Sequence, residues 1–148
     1  MTLLTFILLS FSAGFAVPLQ AGTNARLGNL MGHPLWATAV SLLVSLVVLV
    51  VVIIVVKAPR PDLVAVREGP WWIWMGGVAG VFYITTALLM APRLGAINFI
   101  MAALIGQLVV SIVIDYFGLL GFPKQPLNIN KLVGISVVIG GFLITTRT

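Results

Sequence analysis

Residues 35–56, LWATAVSLLVSLVVLVVVIIVV, carry no charge and contain nothing more polar than Thr38, Ser41 and Ser45. As an α-helix this run extends about 33 Å, enough to cross a hydrocarbon core of about 30 Å. Four other apolar stretches of the chain are as long as a membrane crossing or nearly so. The sequence therefore predicts an all-α, polytopic membrane protein in which the lipid bilayer is the outer solvent.

The composition supports this class. Hydrophobic residues make up 61% of the 148 residues and charged residues only 7%, whereas a soluble domain carries about a quarter charged residues. The formal net charge of +5 comes from eight Lys and Arg residues that are scattered singly among the connections. Since they form no basic stripe, we expect orientation signals and no nucleic-acid partner.

We predict five transmembrane helices, at residues 2–21, 35–56, 71–91, 96–119 and 132–146, within one transmembrane domain covering residues 1–148. The first stretch lacks the basic region of a signal peptide, so we interpret it as a crossing. Proline and glycine lie in the connections, where a missing backbone donor is best tolerated. The connections are short, which leaves no extramembrane domain to carry function.

Five crossings place the two ends of the chain on opposite sides of the membrane. Five basic residues then lie on the side of the N-terminus: Lys57, Arg60, Arg67, Lys124 and Lys131. Three lie on the other side: Arg26, Arg93 and Arg147. This bias favours a cytoplasmic N-terminus by only two charges. A weak bias suggests that copies insert both ways and pair antiparallel, each chain supplying one half of a ten-helix inverted-repeat transporter.

Catalytic chemistry has little support in the sequence. The chain has no Cys and a single His, His33, which excludes thiolate and His-cluster metal sites within one chain. No glycine-rich phosphate loop, Ser/His/Asp set or paired carboxylates are present. We therefore expect no enzyme, no catalytic residue, no metal and no cofactor.

Asp115 is the only carboxylate within an apolar segment. Because a negative charge near a helix C-terminus opposes the helix dipole, we expect a cationic partner, and Lys124 and Lys131 lie on the same side. One interpretation is a structural anchor of the last connection; the other is proton coupling or cation binding. Arg93 is similarly either an orientation charge or a charge that attracts an anionic group.

Several uncharged polar side chains are candidates for solute binding. Gln107 and Tyr83 lie near the centres of predicted spans, where a polar group needs a partner, either a neighbouring helix or a solute. Gln20 and Asn24 follow Pro18 and serve as a local cap or as binding residues. Asn98 is a helix-start, interface or binding residue. Among residues at four-residue spacing, Gly76 and Gly80, with Gly77, are candidates for close helix packing.

Longer motifs extend over the chain. The run PLQAGTNARLG at 18–28 resembles the start of the YdcZ-like five-helix branch of the drug/metabolite transporter superfamily. Four later runs also resemble this branch: WWIWMGGVAGVFY at 71–83, APRLGAINF at 91–99, IGQLVVSIVIDYFGLLGFP at 105–123 and KLVGISVVIGG at 131–141. The positions that match the branch are Gln20, Asn24, Trp71, Trp72, Gly76, Gly77, Gly80, Pro92, Gly95, Gln107, Asp115 and Gly118.

The resemblance implies a single five-helix unit that works as a homodimer or as a heterodimer with a paralogue. It does not bring a proton-coupled drug mechanism with it, because the predicted first helix has no ionisable side chain. The small multidrug-resistance branch uses a central glutamate there. A neutral or anionic solute, or exchange without protons, fits this sequence equally well.

The sequence thus predicts a multi-pass protein of the cell (inner) membrane that transports a small-molecule substrate by alternating access, as a dimer with antiparallel, dual topology. The expected cavity residues are Gln20, Asn24, Tyr83, Asn98 and Gln107. A small dimeric ion channel is one alternative. A noncatalytic partner subunit of a related five-helix transporter is another.

Overall fold

A computed structural model describes residues 2–147, and nearly all of them are helical. None of the described residues lies in a β-strand, so the predicted all-α class is confirmed. The α-helices of this part of the chain are α1 (Leu3–Met31), α2 (Pro34–Val55), α3 (Leu63–Glu68), α4 (Met75–Leu94), α5 (Ala96–Phe117) and α6 (Ile129–Thr145). Two short 3₁₀ turns, Trp71–Trp74 and Leu119–Gly121, lead into α4 and follow α5.

Four helical segments within residues 2–147 are long and apolar enough to cross a membrane: α1, α2, Trp71–Leu94 and α5. The fifth apolar helix, α6, has 17 residues and is about 26 Å long. That length is at the lower end of the range for a transmembrane helix. Residues 2–147 therefore contain four full-length candidate spans and a shorter fifth apolar helix, close to the five predicted.

The first helix is longer than predicted. It ends at Met31 and not near residue 21, so it includes most of the expected connection and also Arg26. The prediction that the first helix has no ionisable side chain is therefore wrong, although α1 still lacks a carboxylate. The stop comes at Gly32, whose φ of 75° ends the helix, and His33 then caps α2 by accepting a hydrogen bond from the Leu35 amide at 3.2 Å. With 29 residues, α1 is about 44 Å long, so its last turns extend beyond the hydrocarbon core.

A short helix, α3, lies within the connection between the second and third predicted spans. Asp62 begins it, and its carboxylate accepts hydrogen bonds from the amides of Val64 at 3.1 Å and Ala65 at 3.0 Å. Such an N-cap satisfies backbone donors that the first helical turn leaves unpaired. Since Asp is a favoured N-cap residue, the signal for this helix was present in the sequence.

The chain divides into two compact units, Met1–Pro92 and Arg93–Thr148. The single transmembrane domain over residues 1–148 stays a prediction. In the first unit, buried residues occur in the C-terminal half of α1, the N-terminal half of α2 and the C-terminal half of α4. They are Ala21, Asn24, Gly28, Ala37, Thr38, Ala87, Leu88 and Ala91. Residues 6–16, 43–56 and 71–79, in the opposite halves, are exposed, so the packing of this unit is confined to one end.

Gly28 is the closest approach within this packed end. A Cβ atom added there would lie 3.3 Å from the Leu88 Cδ2 atom and 3.6 Å from the Ala37 Cβ atom. The absence of a side chain at this position lets α1 approach α2 and leaves room for the Leu88 side chain of α4. Small residues at such points allow close packing where water does not drive helix association.

The second unit consists of α5, the connection 118–128 and α6. Gly118 ends α5 with φ of 66°, and a Cβ atom there would lie 3.2 Å from the Lys124 Cβ atom. The connection therefore folds back against the end of α5. Asn128 begins α6 by accepting a hydrogen bond from the Lys131 amide at 2.9 Å. Near the other end of the hairpin, the Thr145 hydroxyl lies 3.5 Å from the Met101 sulfur.

Candidate functional site

Two polar contacts connect the helices of the first unit. The Asn24 side-chain amide donates a hydrogen bond to the Ser41 hydroxyl at 3.1 Å, joining α1 to α2. The hydroxyl oxygens of Thr38 and Thr85 also lie 3.1 Å apart, joining α2 to α4. Both Asn24 and Thr38 are buried, and burial of a polar group costs free energy unless it is hydrogen-bonded. These contacts form a polar layer inside an otherwise apolar unit.

Beside this layer, α1 and α4 form a small cleft. Its lining includes three of the predicted binding residues, Gln20, Asn24 and Tyr83. Val17, Ala21, Ile84 and Ala87 complete the lining. The cavity volume is about 10 Å³, which is about the space that one water molecule needs. Three side chains with hydrogen-bonding groups thus line one cleft, which has room for about one water molecule.

The other two predicted binding residues lie in the second unit. Asn98 is half-buried, and its side-chain amide donates to the Leu94 carbonyl at 3.1 Å, a local contact across the start of α5. Gln107, in the middle of α5, is exposed, and the described residues offer its amide no hydrogen-bond partner. An amide on the apolar surface of a membrane helix needs a partner from outside this unit.

Asp115 lies near the end of α5 and contacts one of its two expected partners. The Lys131 Nζ atom lies 3.8 Å from the Asp115 Oδ2 atom and donates to the Gln125 side-chain oxygen at 3.0 Å. The Gln125 backbone amide donates to the Asp115 carbonyl at 2.8 Å. Lys124 instead places its Nζ atom 6.0 Å from the centre of the Tyr116 ring. The carboxylate therefore faces Lys131 of α6, and the backbone carbonyl of Asp115 accepts from the connection. Whether Asp115 is a structural anchor or a coupling residue stays a prediction.

Comparison with known protein families shows which family the chain belongs to. The family described as "Putative inner membrane exporter, YdcZ" matches residues 5–144. The chain belongs to the YdcZ family. The resemblance in the sequence motifs is thereby confirmed. Family membership and the apolar helices together support a multi-pass membrane transporter. No curated protein and no solved structure matches the chain significantly.

Other motif positions of this YdcZ-family chain make fewer contacts. A Cβ atom added at Gly76, Gly77 or Gly80 would have no neighbour within 4 Å. Their role in helix packing therefore stays a prediction. Arg93 is exposed in the last turn of α4, which leaves both of its interpretations open.

The tryptophans of this YdcZ-family chain lie at the surface of the first unit. Trp71 and Trp74 are exposed and, together with Leu63, Val66, Arg67 and Gly69, line a shallow groove of about 500 Å³ beside α3. Indole rings prefer the headgroup region of a bilayer, so this location is typical of an aromatic belt.

Sequence reasoning did not identify several contact residues of this family member. Gly28 was assigned to a connection, and Thr85 and Gln125 were not singled out. The four-residue spacing of Asn24 and Gly28, which places them on one helix face, was an available signal for the first of these. The Thr38–Thr85 and Lys131–Gln125 contacts pair residues from different segments of the chain, so no local pattern indicates them.

Proposed function

We propose that this protein exports a small polar solute across the inner membrane by alternating access. The observation that carries the proposal is the convergence of Gln20, Asn24 and Tyr83 on one cleft in a chain of an exporter family. Two amides and a phenol provide both donors and acceptors. The side chains that line the cleft carry no charge, which favours a neutral solute with several hydrogen-bonding groups.

The packing of the first unit supports the alternating-access part of the proposal. The three helices contact one another at one end, and their other halves are exposed. A cleft of about 10 Å³ is too small for a solute, since ligand sites commonly have volumes of about 300–1,000 Å³. Solute binding at this cleft would therefore require α1 and α4 to separate.

The dimeric part of the proposal has separate support. The Gln107 amide is exposed in the middle of an apolar helix, and the surfaces formed by residues 6–16 and 43–56 are exposed as well. A second copy in the opposite orientation would cover such surfaces, as the weak charge bias suggests. Gln107 then contacts either the partner or the solute. Asn98 is proposed as a binding residue on its residue type alone.

Solute uptake into inverted membrane vesicles tests the function. Vesicles with and without the protein are incubated with an isotope-labelled extract of small metabolites, filtered, and analysed by mass spectrometry. We expect at least one solute to be retained only with the wild-type protein, and retention to fall strongly in Gln20→Leu. Gln20 is exposed, so this change preserves the packed core of the unit.

Asn29→Leu provides the matched control. It also removes an exposed amide from α1, but Asn29 does not line the cleft. Retention by this variant should equal that of the wild type. The proposal is wrong if vesicles containing wild-type protein retain nothing beyond the empty vesicles, or if both amide variants lose retention equally.

A further inference from the structure

A second and larger cavity lies within the second unit, between α5, α6 and the connection that joins them. Its volume is about 300 Å³, within the common range for ligand-binding sites. The lining residues are Leu108, Ser111, Ile112, Asp115, Gln125, Leu127, Lys131, Gly134, Ile135 and Val138. Polar groups lie at one end of this cavity, and most of the remaining wall is aliphatic. We call it the hairpin cleft.

The ion pair at the polar end is loose. The Lys131 Nζ and Asp115 Oδ2 atoms are 3.8 Å apart, and the two side chains are 38% and 39% exposed. Charge-assisted hydrogen bonds between such groups are about 2.7–2.9 Å long. A carboxylate has about four acceptor positions and an ammonium has three donors, and Gln125 accepts from one of those donors. Both charges therefore retain capacity to bind a ligand.

The polar end of the hairpin cleft lies near the membrane surface, and its aliphatic wall lies towards the bilayer centre. Asp115 is two residues from the end of α5, and Lys131 is in the first turn of α6, so both lie near the membrane surface. The aliphatic wall continues along α5 from Ile112 to Leu108, about 10 Å from Asp115 towards the bilayer centre. A ligand that fits this gradient is charged at one end and apolar at the other.

We propose that the hairpin cleft binds one zwitterionic phospholipid with a primary-amine headgroup, as in phosphatidylethanolamine. The lipid ammonium donates to the Asp115 carboxylate, and the lipid phosphate accepts from the Lys131 ammonium. One acyl chain lies along Ile112 and Leu108. The dipole of the headgroup is then antiparallel to the ion pair, so each charge of the protein faces the opposite charge of the lipid.

Charge complementarity distinguishes this occupant from other lipids. A purely anionic headgroup would satisfy Lys131 but place negative charge against Asp115. A choline headgroup has the same charges as the amine headgroup but no N–H group to donate to the carboxylate. The binding site is independent of the proposed transport function, because lipid retention requires no solute and no conformational cycle.

Lipid retention in nanodiscs tests the proposal. The wild-type protein is assembled with equal amounts of phosphatidylethanolamine and phosphatidylcholine that carry the same acyl chains, and the lipids retained after release into detergent are measured by native mass spectrometry. We expect retention of phosphatidylethanolamine to exceed that of phosphatidylcholine by about three- to fivefold, the size of effect typical of one additional hydrogen bond. Lys131→Gln, which removes the partner of the phosphate that both lipids carry, should lower retention of both. Asp115→Asn should abolish the preference for phosphatidylethanolamine. Lys124→Gln, which removes a charge outside the cleft, should leave it unchanged.

A second pair of variants tests whether the lipid occupies the cleft while Asp115 and Lys131 stay unchanged. A Cβ atom added at Gly134 or at Gly140 has no neighbour within 4 Å, and of the two only Gly134 lines the cleft. Gly134→Leu should therefore fill the cleft and lower retention of both lipids, whereas Gly140→Leu should not. Equal retention of the two lipids by the wild type overturns the proposal. A preference that survives in both Asp115→Asn and Gly134→Leu overturns it as well, because the lipid then binds elsewhere.

Discussion

The hydroxyl oxygens of Thr38 and Thr85 lie 3.1 Å apart and connect α2 to α4 inside the packed end of the first unit. Thr38 is 3% exposed, so the loss of its partner leaves a polar group in an apolar environment. The Thr38 hydroxyl can also donate to the Pro34 carbonyl, 3.4 Å away within its own helix. This alternative acceptor limits the effect of removing Thr85.

We expect Thr85→Val to lower the free energy of unfolding by about 0.5–1 kcal/mol, as for hydrogen bonds between membrane helices. A double-mutant cycle with Thr38→Val, measured by reversible unfolding in mixed micelles, should give a coupling energy of about the same size. Thr86→Val, at the neighbouring half-buried position, should show no coupling to Thr38. Zero coupling for Thr85 would mean that the contact does not contribute to stability.

Substitution of Gly28 should reveal the tight contact between α1 and α4. Gly28→Ala places a methyl group 3.3 Å from the buried Leu88 side chain, and overpacking of this kind typically costs about 1–3 kcal/mol. Gly22→Ala on the same helix has no neighbour within 4 Å and should be neutral or slightly stabilising. The measurement is the unfolding free energy of both variants. The smaller side chain of Leu88→Val should partly restore Gly28→Ala, and a failure to do so would locate the strain elsewhere.

The stability of the connection in the second unit should depend on Gly118 more than on Gly121. Both glycines have positive φ, 66° and 83°, but only at Gly118 would a Cβ atom meet the chain near Lys124. A positive φ costs a residue with a side chain about 1–2 kcal/mol, so both alanine variants should be destabilised. We expect Gly118→Ala to be the less stable one and to be cleaved faster by protease between residues 119 and 128. Equal cleavage rates would show that the close approach is not maintained.

Removal of the exposed Gln107 amide should lower transport. Gln107→Ala is expected to reduce solute retention in the vesicle experiment while leaving the yield of cross-linked dimer unchanged, because one amide contributes little to a large helix interface. Val110→Ala, also exposed on α5, is the control and should affect neither quantity. A loss of dimer with normal transport per dimer would instead assign Gln107 to the interface between copies.

The orientation of the two ends tests the antiparallel assembly directly. The chain has no Cys, so Thr2→Cys and Thr146→Cys each introduce a single thiol without changing the charge balance. With an impermeant maleimide on intact cells, mixed insertion predicts partial labelling of both variants from outside. Labelling of only one variant would rule out an antiparallel homodimer. It would then favour a parallel assembly or a role as the partner subunit of a differently oriented paralogue.

Strong local signals explain which parts of the fold were predictable. The uncharged, strongly apolar run at 35–56 predicted α2 to within one residue at each end, because no charged residue, Gly or Pro interrupts it. The end of α1 was placed ten residues too early, since Thr23, Asn24 and Arg26 read as a polar connection. These residues are helical because the structural stop is Gly32, with its positive φ.

For the candidate sites, the sequence likewise indicated single residues but not the contacts between segments. Gln20, Asn24 and Tyr83 were selected as polar groups in apolar spans, a property that one segment reveals by itself. Their convergence depends on how α1 packs against α4, which no single segment encodes. The hairpin cleft likewise depends on the backfolding of the connection at Gly118, which brings Gln125 to Lys131.

The confinement of packing to one end of the first unit has a mechanical consequence. With the Asn24–Ser41 contact as the pivot of the proposed alternating access, the fourteen residues of α2 beyond Ser41, up to Val55, would form a lever arm about 21 Å long. A rotation of about 10° at the pivot moves the far end of this arm by about 4 Å. A solute that replaces Ser41 as the partner of the Asn24 amide would thus produce a small local change, amplified at the opposite membrane face.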